Sequence, residues 1–405
     1  MEALAAACST GGVQKGLHEI EVENYRSLHE VKLAELGRLN VLVGPNASGK
    51  STVIDVIQFL GDSVREDLIP AINKRDGFDR LAFRGSPKPG RIKIGIKAQV
   101  TRFSSPTALD AYELAFWRPA KGAIAREETF WFKRTRGAGR RIKIQGGEVT
   151  WAEEDNRRKP KQLELLREES LGLATLPRLS PEHGGEQVSQ IAELFSSFRV
   201  FEISVEAARR PSAVEQRAFL KPDASNLSAF LVRLKDDEEA FAQLQRDARA
   251  MVPGLEEIQF REVGGAEEAV VIELVERGLR GRTPLADASY GTVRALALLA
   301  LLYDPEPPLL TCVEEIDHGL HPHVFDLLVE RLRDAAQRTQ FLIATHSPAL
   351  VNRLHPSELI VCQRNPATGE AQIPAIDSKE VAAMEQSSGL GLGELWFSGT
   401  LGGVP

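Results

Sequence analysis

One stretch near the amino end constrains the fold of this 405-residue chain more than any other. It spans Gly44 to Thr52 and reads Gly-Pro-Asn-Ala-Ser-Gly-Lys-Ser-Thr. The apolar run Leu39 to Val43 precedes it, and residues 53–60 after it carry apolar side chains at helical spacing. A strand, a glycine-bearing turn and a helix in this order form a loop that binds phosphate. The sequence therefore predicts that this turn binds a nucleoside triphosphate.

Each type of residue in the loop has a chemical reason to be there. Gly44 and Gly49 let the backbone approach an anion without a Cβ in the way. The Lys50 ammonium faces the polyphosphate, and the Ser51 hydroxyl is suited to Mg²⁺. The other residues that we assign to nucleotide binding here are Pro45, Asn46, Ala47, Ser48 and Thr52.

A second apolar run, residues 308–313, ends in two acids, Glu314 and Glu315. In phosphate-loop enzymes such a strand lies beside the first one, so that its terminal acids reach the metal and the attacking water. We assign Glu314 to Mg²⁺ and Glu315 to orienting or deprotonating the water. The alternative is a strand that simply runs out into a charged turn.

Two further segments carry candidate nucleotide contacts. The run Gln340 to Thr345 predicts a strand, and His346 at its end can hydrogen-bond the γ-phosphate or the lytic water. Ser289 and Gly291 open another predicted helix, which is a second anion-binding geometry. Because one γ-phosphate rarely needs two helix N-termini, this second one would serve a nucleotide held by another copy. The alternative for Ser289 is a plain helix cap.

Composition excludes several classes of protein. The formal net charge is −7, so the chain as a whole is not a polycation built for nucleic acid. No apolar run approaches the roughly 18 residues that span a bilayer, and we expect a cytoplasmic protein without membrane partners. Three cysteines (Cys8, Cys312 and Cys362) share no metal-like spacing and predict reduced thiols. Four histidines fit no familiar metal-ligand set either; they are His318, His321, His323 and His346.

The middle of the chain predicts a different kind of structure. Alternating patterns between residues 91 and 144 indicate an antiparallel sheet separate from the nucleotide-binding one. Residues 162–169 and 227–251 each read as one helix. The cluster Arg157 to Lys161 is a solvated helix end or, alternatively, a nucleic-acid contact.

These motifs, in this order, resemble the ABC-type ATPase heads of the SMC and RecF class. The closest resemblance is to stand-alone bacterial ATPases related to the overcoming-lysogenisation-defect (OLD) family. Residues 44–52 look like the Walker A loop, 309–315 like the Walker B strand, and His346 like the switch histidine. Residues 287–294 stand where the ABC signature lies, although Tyr290 replaces its usual second glycine. The first Walker B acid is Glu314 rather than aspartate, and Gln99 is the candidate for the Q-loop glutamine.

The resemblance implies an α/β, P-loop NTPase head with a mixed sheet, an antiparallel β subdomain and a helical insertion. We expect a flexible leader over 1–17, a discontinuous head over 18–365 with its insertion at about 91–252, and a tail over 366–405. Arg26 would contribute positive charge near the phosphates, or else be a surface arginine in a hairpin.

The resemblance also implies what the head does. Two copies would sandwich two ATP molecules, with Mg²⁺ as cofactor, and each signature would face the Walker A loop of the other copy. Only the 59 residues 347–405 follow His346, so we expect a separate effector protein, such as a nuclease, in bacterial anti-phage defence or genome maintenance. The alternatives are a RecF-type repair ATPase that binds DNA and the cytoplasmic ATPase subunit of a transporter.

Overall fold

The computed structural model describes residues 16–85, 90–135, 139–153, 161–164, 170–176, 184–213, 219–264 and 269–402. The chain divides into two compact units. The first comprises residues 1–37, 44–198 and 360–377, and the second comprises 38–43, 199–359 and 378–405. The predicted α/β class with a separate antiparallel sheet is confirmed.

The first unit is built on an antiparallel sheet with the strand order β2-β1-β4-β5-β6-β7-β8-β9. Its inner strands alternate between buried and half-exposed residues, as in β4, because one face packs on helices and the other meets solvent. The strands are β1 (Gly16–Tyr25), β2 (Leu28–Leu33), β4 (Ile92–Gln99), β5 (Asp110–Trp117), β6 (Ala125–Phe132), β7 (Arg140–Gln145), β8 (Glu148–Glu153) and β9 (Lys161–Glu164). A small pair, β18 (Gln363–Arg364) and β19 (Ala371–Gln372), belongs to the same unit.

Short helices complete the first unit around one long helix. They are α1 (Lys50–Glu66), α2 (Leu68–Asn73), α3 (Phe78–Leu81), α4 (Gly172–Thr175) and α5 (Gly185–Ser196). Asp55 of α1 accepts hydrogen bonds from the Tyr25 hydroxyl at 2.7 Å and from Arg75 Nε at 2.8 Å. This half-buried network ties the long helix to the end of β1.

The second unit contains a parallel core in the order β10-β15-β16-β3. Its strands are β10 (Arg199–Phe201), β15 (Leu310–Val313), β16 (Gln340–Thr345) and β3 (Leu39–Val43). Every residue of β3, β15 and β16 is buried, as expected for parallel strands covered on both faces. The strand β17 (Leu359–Val361) lies where the chain passes back into the first unit.

Helices and a small antiparallel sheet make up the rest of the second unit. The sheet has the order β11-β13-β12, with β14 also paired to β13. Its strands are β11 (Ser212–Ala213), β12 (Leu255–Val263), β13 (Ala269–Glu276) and β14 (Thr283–Pro284). The helices are α6 (Val205–Ala208), α7 (Leu227–Leu234), α8 (Glu238–Met251), α9 (Tyr290–Leu302), α10 (Phe325–Ala335), α11 (Pro348–Val351), α12 (Ser378–Ser388) and α13 (Leu392–Phe397).

The structure contradicts two of the helix predictions. The single helix expected over 227–251 is interrupted between α7 and α8, because the Asp237 side chain accepts a hydrogen bond from Ala240 N at 3.0 Å and begins a new helix. The helix expected over 162–169 is contradicted at its start, where residues 161–164 pair with β8 as an added strand. Residues 165–169 lie outside the described residues, as does the cluster 157–161 apart from the backbone of Lys161.

The structure also bears on the expectations for the leader, for the cysteines and for membrane-spanning helices. Only the last two residues of the predicted leader, Gly16 and Leu17, are described, and both belong to β1. Cys312 and Cys362 are buried free thiols, and Cys8 lies outside the described residues. Among the helices that the structure describes, none combines the length and the apolar character needed to cross a membrane.

Candidate functional site

The predicted phosphate loop follows β3 and leads directly into α1. Ala47 and Gly49 both have left-handed backbone angles, with φ of 64° and 100°. Ser48 N donates to Pro45 O at 3.3 Å, which closes the turn between them. Left-handed residues that alternate with ordinary ones turn successive N–H groups toward one concavity, which is an anion-binding geometry.

Two glycines in the loop are required by close contacts. A Cβ on Gly44 would lie 2.3 Å from the carbonyl oxygen of Cys362 and 2.5 Å from Ser48 Oγ. A Cβ on Gly49 would lie 2.7 Å from the Cβ of Ala371. The loop therefore packs closely on the segment after β17, against the backbone of Cys362 and the side chain of Ala371, within the first unit.

Several groups in the loop fit a bound phosphate. Ser48 Oγ is buried and has no hydrogen-bond partner among the described residues. No side chain in the described part of the chain caps the N-terminus of α1, whose N-cap residue is Gly49. Lys50 Nζ donates to Gly44 O at 2.6 Å and to Pro45 O at 2.8 Å, so the ammonium lies over the loop. An anion would satisfy Ser48 and the helix end together.

The thiol beneath the loop stays neutral. Burial raises the pKa of Cys362 to about 12, although the nearby charge of Lys50 opposes the rise. At neutral pH the loop therefore has no thiolate below it that would repel a phosphate.

Arg26 is held in a fixed turn between β1 and β2. Its φ is 51°, and its backbone N donates to Leu81 O at 2.6 Å. Its guanidinium lies 3.1 Å from Asp55, and the neighbouring Ser27 Oγ is 3.2 Å from Thr52 Oγ1. The turn thus contacts the last residue of the phosphate loop, and the role of Arg26 toward phosphates stays a prediction.

In the second unit the carboxyl ends of three neighbouring strands meet at one edge. Val43 of β3 pairs in register with Thr345 of β16, and Ile343 of β16 pairs with Val313 of β15. Gly44, His346 and Glu314 directly follow these strands in the sequence. In an open α/β sheet, ligands bind at this edge.

The turn that carries the two acids is held by a buried arginine. Arg294 of α9 donates from Nη2 to Glu315 O at 2.8 Å and to Glu314 O at 3.3 Å, and from Nη1 to Ile203 O at 3.0 Å. Glu315 has a left-handed φ of 48°, an uncommon conformation for a residue with a Cβ. The bonds to both carbonyl groups hold this conformation, while the Glu315 side chain is exposed to solvent.

A second contact joins the same turn to the end of β16. Thr345 Oγ1 donates to the buried carboxylate of Asp317 and accepts from Ser347 N at 3.0 Å. His346 lies between Thr345 and Ser347 in the sequence, and its side chain is exposed. The acids and the histidine are therefore attached to one hydrogen-bonded framework.

The predicted signature segment begins α9. Ser289 caps this helix, because its Oγ accepts from Thr292 N at 3.1 Å. The Tyr290 hydroxyl is 3.0 Å from His318 Nδ1, and its ring covers Gly319, where a Cβ would come within 2.3 Å. Gly291 is equally close-packed, since its Cβ would lie 2.8 Å from Gly319 O. The tyrosine thus occupies space over a glycine of the turn after the acids.

Sequence reasoning missed the residues that support the acids. Arg294 was detectable, because it is the one charged residue in the otherwise apolar helix α9. Thr345 and Tyr290 gave no such signal, since their partners lie 28 residues away in sequence. Gln99 lies at the end of β4, paired with Gly16, and its Q-loop role stays a prediction.

No cluster of potential metal ligands occurs within the described ranges. Groups of three or more His, Cys, Asp or Glu side chains that could hold an ion are absent from these residues. His321 Nδ1 and His323 Nδ1 lie 2.8 Å apart as an exposed pair. The assignment of Ser51 and Glu314 as Mg²⁺ ligands stays a prediction.

Comparison with known proteins identifies one family model and several solved structures. The model described as "AAA domain, putative AbiEii toxin, Type IV TA system" matches residues 39–352, well over half of the chain. No curated protein matches the sequence.

Solved structures of SMC heads are similar at low identity. An SmcHead bound to the C-winged helix domain of ScpA is 11% identical, covers 88% of this chain and 97% of its own, and has a TM-score of 0.46. The SMC head domain from Thermotoga maritima is 14% identical with the same coverages and a TM-score of 0.40. The Smc head with an extended coiled coil, bound to the C-terminal domain of ScpA derived from Pyrococcus furiosus, is 11% identical. It covers 93% of this chain and 100% of its own, with a TM-score of 0.49.

Proposed function

The chain belongs to the AAA-domain family whose model matches residues 39–352. We therefore propose that it hydrolyses ATP, and that two copies close as a head-to-tail dimer when ATP binds. The predicted kinship with AAA-family ATPases is confirmed by the family match, whereas the relation to OLD proteins stays a prediction. The cycle of closing and opening would drive or gate a separate effector protein.

One observation carries the proposal: three neighbouring strands of the second unit end at the same edge of one parallel sheet, and the predicted loop and catalytic residues directly follow these strands in the sequence. β3 continues into Gly44, β15 into Glu314 and β16 into His346. A buried hydroxyl without a partner, Ser48 Oγ, and an uncapped helix end in the described loop supply groups for the phosphates.

Each residue then has a part in phosphoryl transfer. Lys50 and the loop amides bind the β- and γ-phosphates, while Glu315 accepts a proton from the water that attacks the γ-phosphorus. His346 donates a hydrogen bond to the γ-phosphate or to that water. Mg²⁺, held by Ser51 and Glu314, would neutralise charge on the phosphate oxygens. The products are ADP and inorganic phosphate.

The second helix start supports the proposed dimer. Ser289 and Gly291 begin α9, and Ser289 already caps that helix. Its exposed N-terminal turn remains available to the γ-phosphate of a nucleotide held by the other copy. By this arrangement each nucleotide is bound by the loop of one copy and the signature segment of the other.

The setting that we propose is bacterial anti-phage defence or genome maintenance. The resemblance to OLD-related ATPases supports it, as does a family description that names a toxin of a type IV TA system. Association with a neighbouring gene product would identify the effector.

Two substitutions test the ATPase. Lys50→Ala removes the ammonium over the loop and should abolish ATP binding, measured by calorimetry. Glu315→Gln removes the base but keeps the size of the side chain, so ATP binding should persist while turnover falls by about a hundredfold or more. Glu306→Gln, an exposed glutamate of the second unit, is the matched control and should leave both quantities unchanged.

Normal ATP affinity in the Lys50→Ala protein would contradict the assignment of the loop. An unchanged rate in the Glu315→Gln protein would instead move the catalytic role to another residue.

A further inference from the structure

A groove of about 660 Å³ lies within the second unit, between the helix α8 and the strand β12. The helix contributes Phe241, Ala242 and Gln245 to its lining, and the strand contributes Ile258 and Phe260. The rings of Phe241 and Phe260 have their centroids 5.8 Å apart, so the floor of the groove is apolar. We call this cavity the α8–β12 groove.

The strand that forms one wall of the groove is the edge of its sheet. In the order β11-β13-β12, β12 pairs with β13 on one side and ends the sheet on the other. In an antiparallel pair, every second residue directs both its N–H and its C=O away from the neighbouring strand. Ile258 is such a residue, because its N–H donates to Gln245 Oε1 of α8 at 3.0 Å. The register is regular from Glu257 onward, so Phe260 and Glu262 also direct their backbone groups away from β13.

These outward backbone groups are available to another chain. The bond from Ile258 N to Gln245 shows that an acceptor beside this edge is bound. No side chain among the described residues bonds to the backbone N–H or C=O of Phe260 or Glu262. A row of such groups along a sheet edge is a template for an added strand. The groove thus combines backbone donors and acceptors with an apolar floor under a helix.

The charges around the groove indicate which side chains an added strand would carry. Glu238 of α8 and Glu257 of β12 are exposed lining residues, and neither forms an ion pair within the described part of the chain. Two cations also line the groove, but Arg282 already pairs with Glu273 at 3.2 Å. The other cation is Lys235, at the end of α7. The unpaired carboxylates therefore favour basic side chains in the ligand.

A second copy of the chain does not suit this groove. Gln245 bonds to Ile258 N at 3.0 Å, and Arg249 Nε bonds to Glu256 O at 2.6 Å, so α8 lies along the strand edge. The β12 strand of another copy would bring its own α8 to the same edge. It would also add the glutamates of a second β12 to a groove that already carries unpaired carboxylates. A single extended segment without a flanking helix avoids both problems.

We propose that the α8–β12 groove binds an extended segment of a partner protein in which apolar and basic residues alternate. The segment adds to β12 as a further strand, and its backbone bonds to the outward groups of Phe260 and Glu262. Successive side chains of a strand point to opposite faces. The apolar ones therefore pack on Phe241 and Phe260, while the basic ones face Glu257 on the solvent side.

Calorimetric titration of the full chain with a synthetic peptide tests the proposal. The peptide alternates lysine and valine, has blocked ends and is as long as β12, nine residues. We expect it to bind in the absence of nucleotide. A version with N-methyl groups on alternate residues keeps the side chains but loses the N–H donors that face β12. It should bind about tenfold more weakly or worse, because the strand bonds are lost.

Two substitutions in the protein locate the binding. Ala242→Trp fills the groove and should abolish binding of the peptide, whereas Ala250→Trp, at an exposed alanine of α8 outside the lining, should not. Glu238→Lys should weaken binding of the lysine–valine peptide and strengthen binding of a glutamate–valine peptide. Glu239→Lys is its matched control, because this exposed neighbour on the same helix does not line the groove.

The proposal is overturned if the lysine–valine peptide does not bind, or if its N-methylated version binds equally well. Binding that survives Ala242→Trp would place the peptide elsewhere on the protein. Self-association of the peptide-free chain that Ala242→Trp removes would also contradict the proposal, because a second copy would then occupy the groove. All of these titrations omit nucleotide, so their outcome is independent of the proposed ATPase.

Discussion

Gly44 lies against the backbone of Cys362, where a Cβ would come within 2.3 Å of the carbonyl oxygen. The same Cβ would also crowd Ser48 Oγ, the buried hydroxyl that has no partner among the described residues. Neither neighbour can move freely, because one is backbone and the other belongs to the turn itself. A side chain at this position would therefore force the loop to shift.

Replacing Gly44 with alanine should distort the loop and weaken ATP binding. A loss of about 1.4 kcal/mol corresponds to tenfold in affinity, and we expect at least that much. Calorimetric titration with ATP measures the change. Gly281→Ala is the matched control, since a Cβ there meets no atom within 4 Å of the described structure, and it should bind ATP normally. Equal affinity in both variants would show that the loop tolerates a Cβ.

At the residue scale, the sequence could reveal groups that act on the ligand directly. Lys50 and Ser51 are recognisable because their chemistry follows from their place at the end of a glycine-bearing turn. The supporting residues are harder to predict. Arg75 and Asp55 form an ion pair across 20 residues, and no local pattern in the sequence shows that they meet.

The helix α9 and the turn after β15 form one connected element through Arg294. Its guanidinium donates to the carbonyl oxygens of Glu314, Glu315 and Ile203. The left-handed φ of Glu315 persists because these bonds over-determine it. Arg294 would thus position the proposed base, Glu315, and it links α9 to the turn after β15.

Arg294→Lys should lower the turnover of ATP while leaving the affinity for ATP nearly unchanged. A lysine keeps the charge but cannot donate to three carbonyl groups in a planar fork, so Glu315 loses its fixed position. Displacement of a catalytic group by about 1 Å can cost up to about a hundredfold in rate. Steady-state kinetics separates kcat from KM for this purpose.

The control for this substitution is Arg246→Lys, an arginine of α8 that bonds to Gln243 only locally. It should leave both kinetic parameters unchanged. If Arg294→Lys alters KM and kcat together, or neither, Arg294 does not act by positioning Glu315.

At the scale of elements, the sequence predicted the strand–loop–helix unit and the antiparallel sheet correctly. Both depend on strong local patterns: mostly apolar runs for β3, β15 and β16, and alternation for β4. The split between α7 and α8 was missed because Asp237 reads as one more polar residue on an amphipathic face. Residues 161–164 became a strand through pairing with β8, a tertiary effect that outweighs local propensity.

At the scale of the whole molecule, each of the two units contributes different residues to the proposed ATPase. The first unit holds the predicted phosphate loop, and the second holds Glu314, Glu315, His346 and the helix α9. Strand β3 belongs to the second unit, and the loop that follows it belongs to the first. We therefore expect substitutions to separate the proposed binding of the nucleotide from the proposed closure of the dimer.

The size of the Glu315→Gln protein with and without ATP and Mg²⁺ tests the central claim most directly, because this variant should bind ATP without consuming it. We expect light scattering to give the mass of one chain without nucleotide and of two chains with ATP. The double variant Lys50→Ala with Glu315→Gln should remain a single chain in both conditions. A Glu315→Gln protein that binds ATP yet keeps the mass of one chain would contradict the proposed dimer.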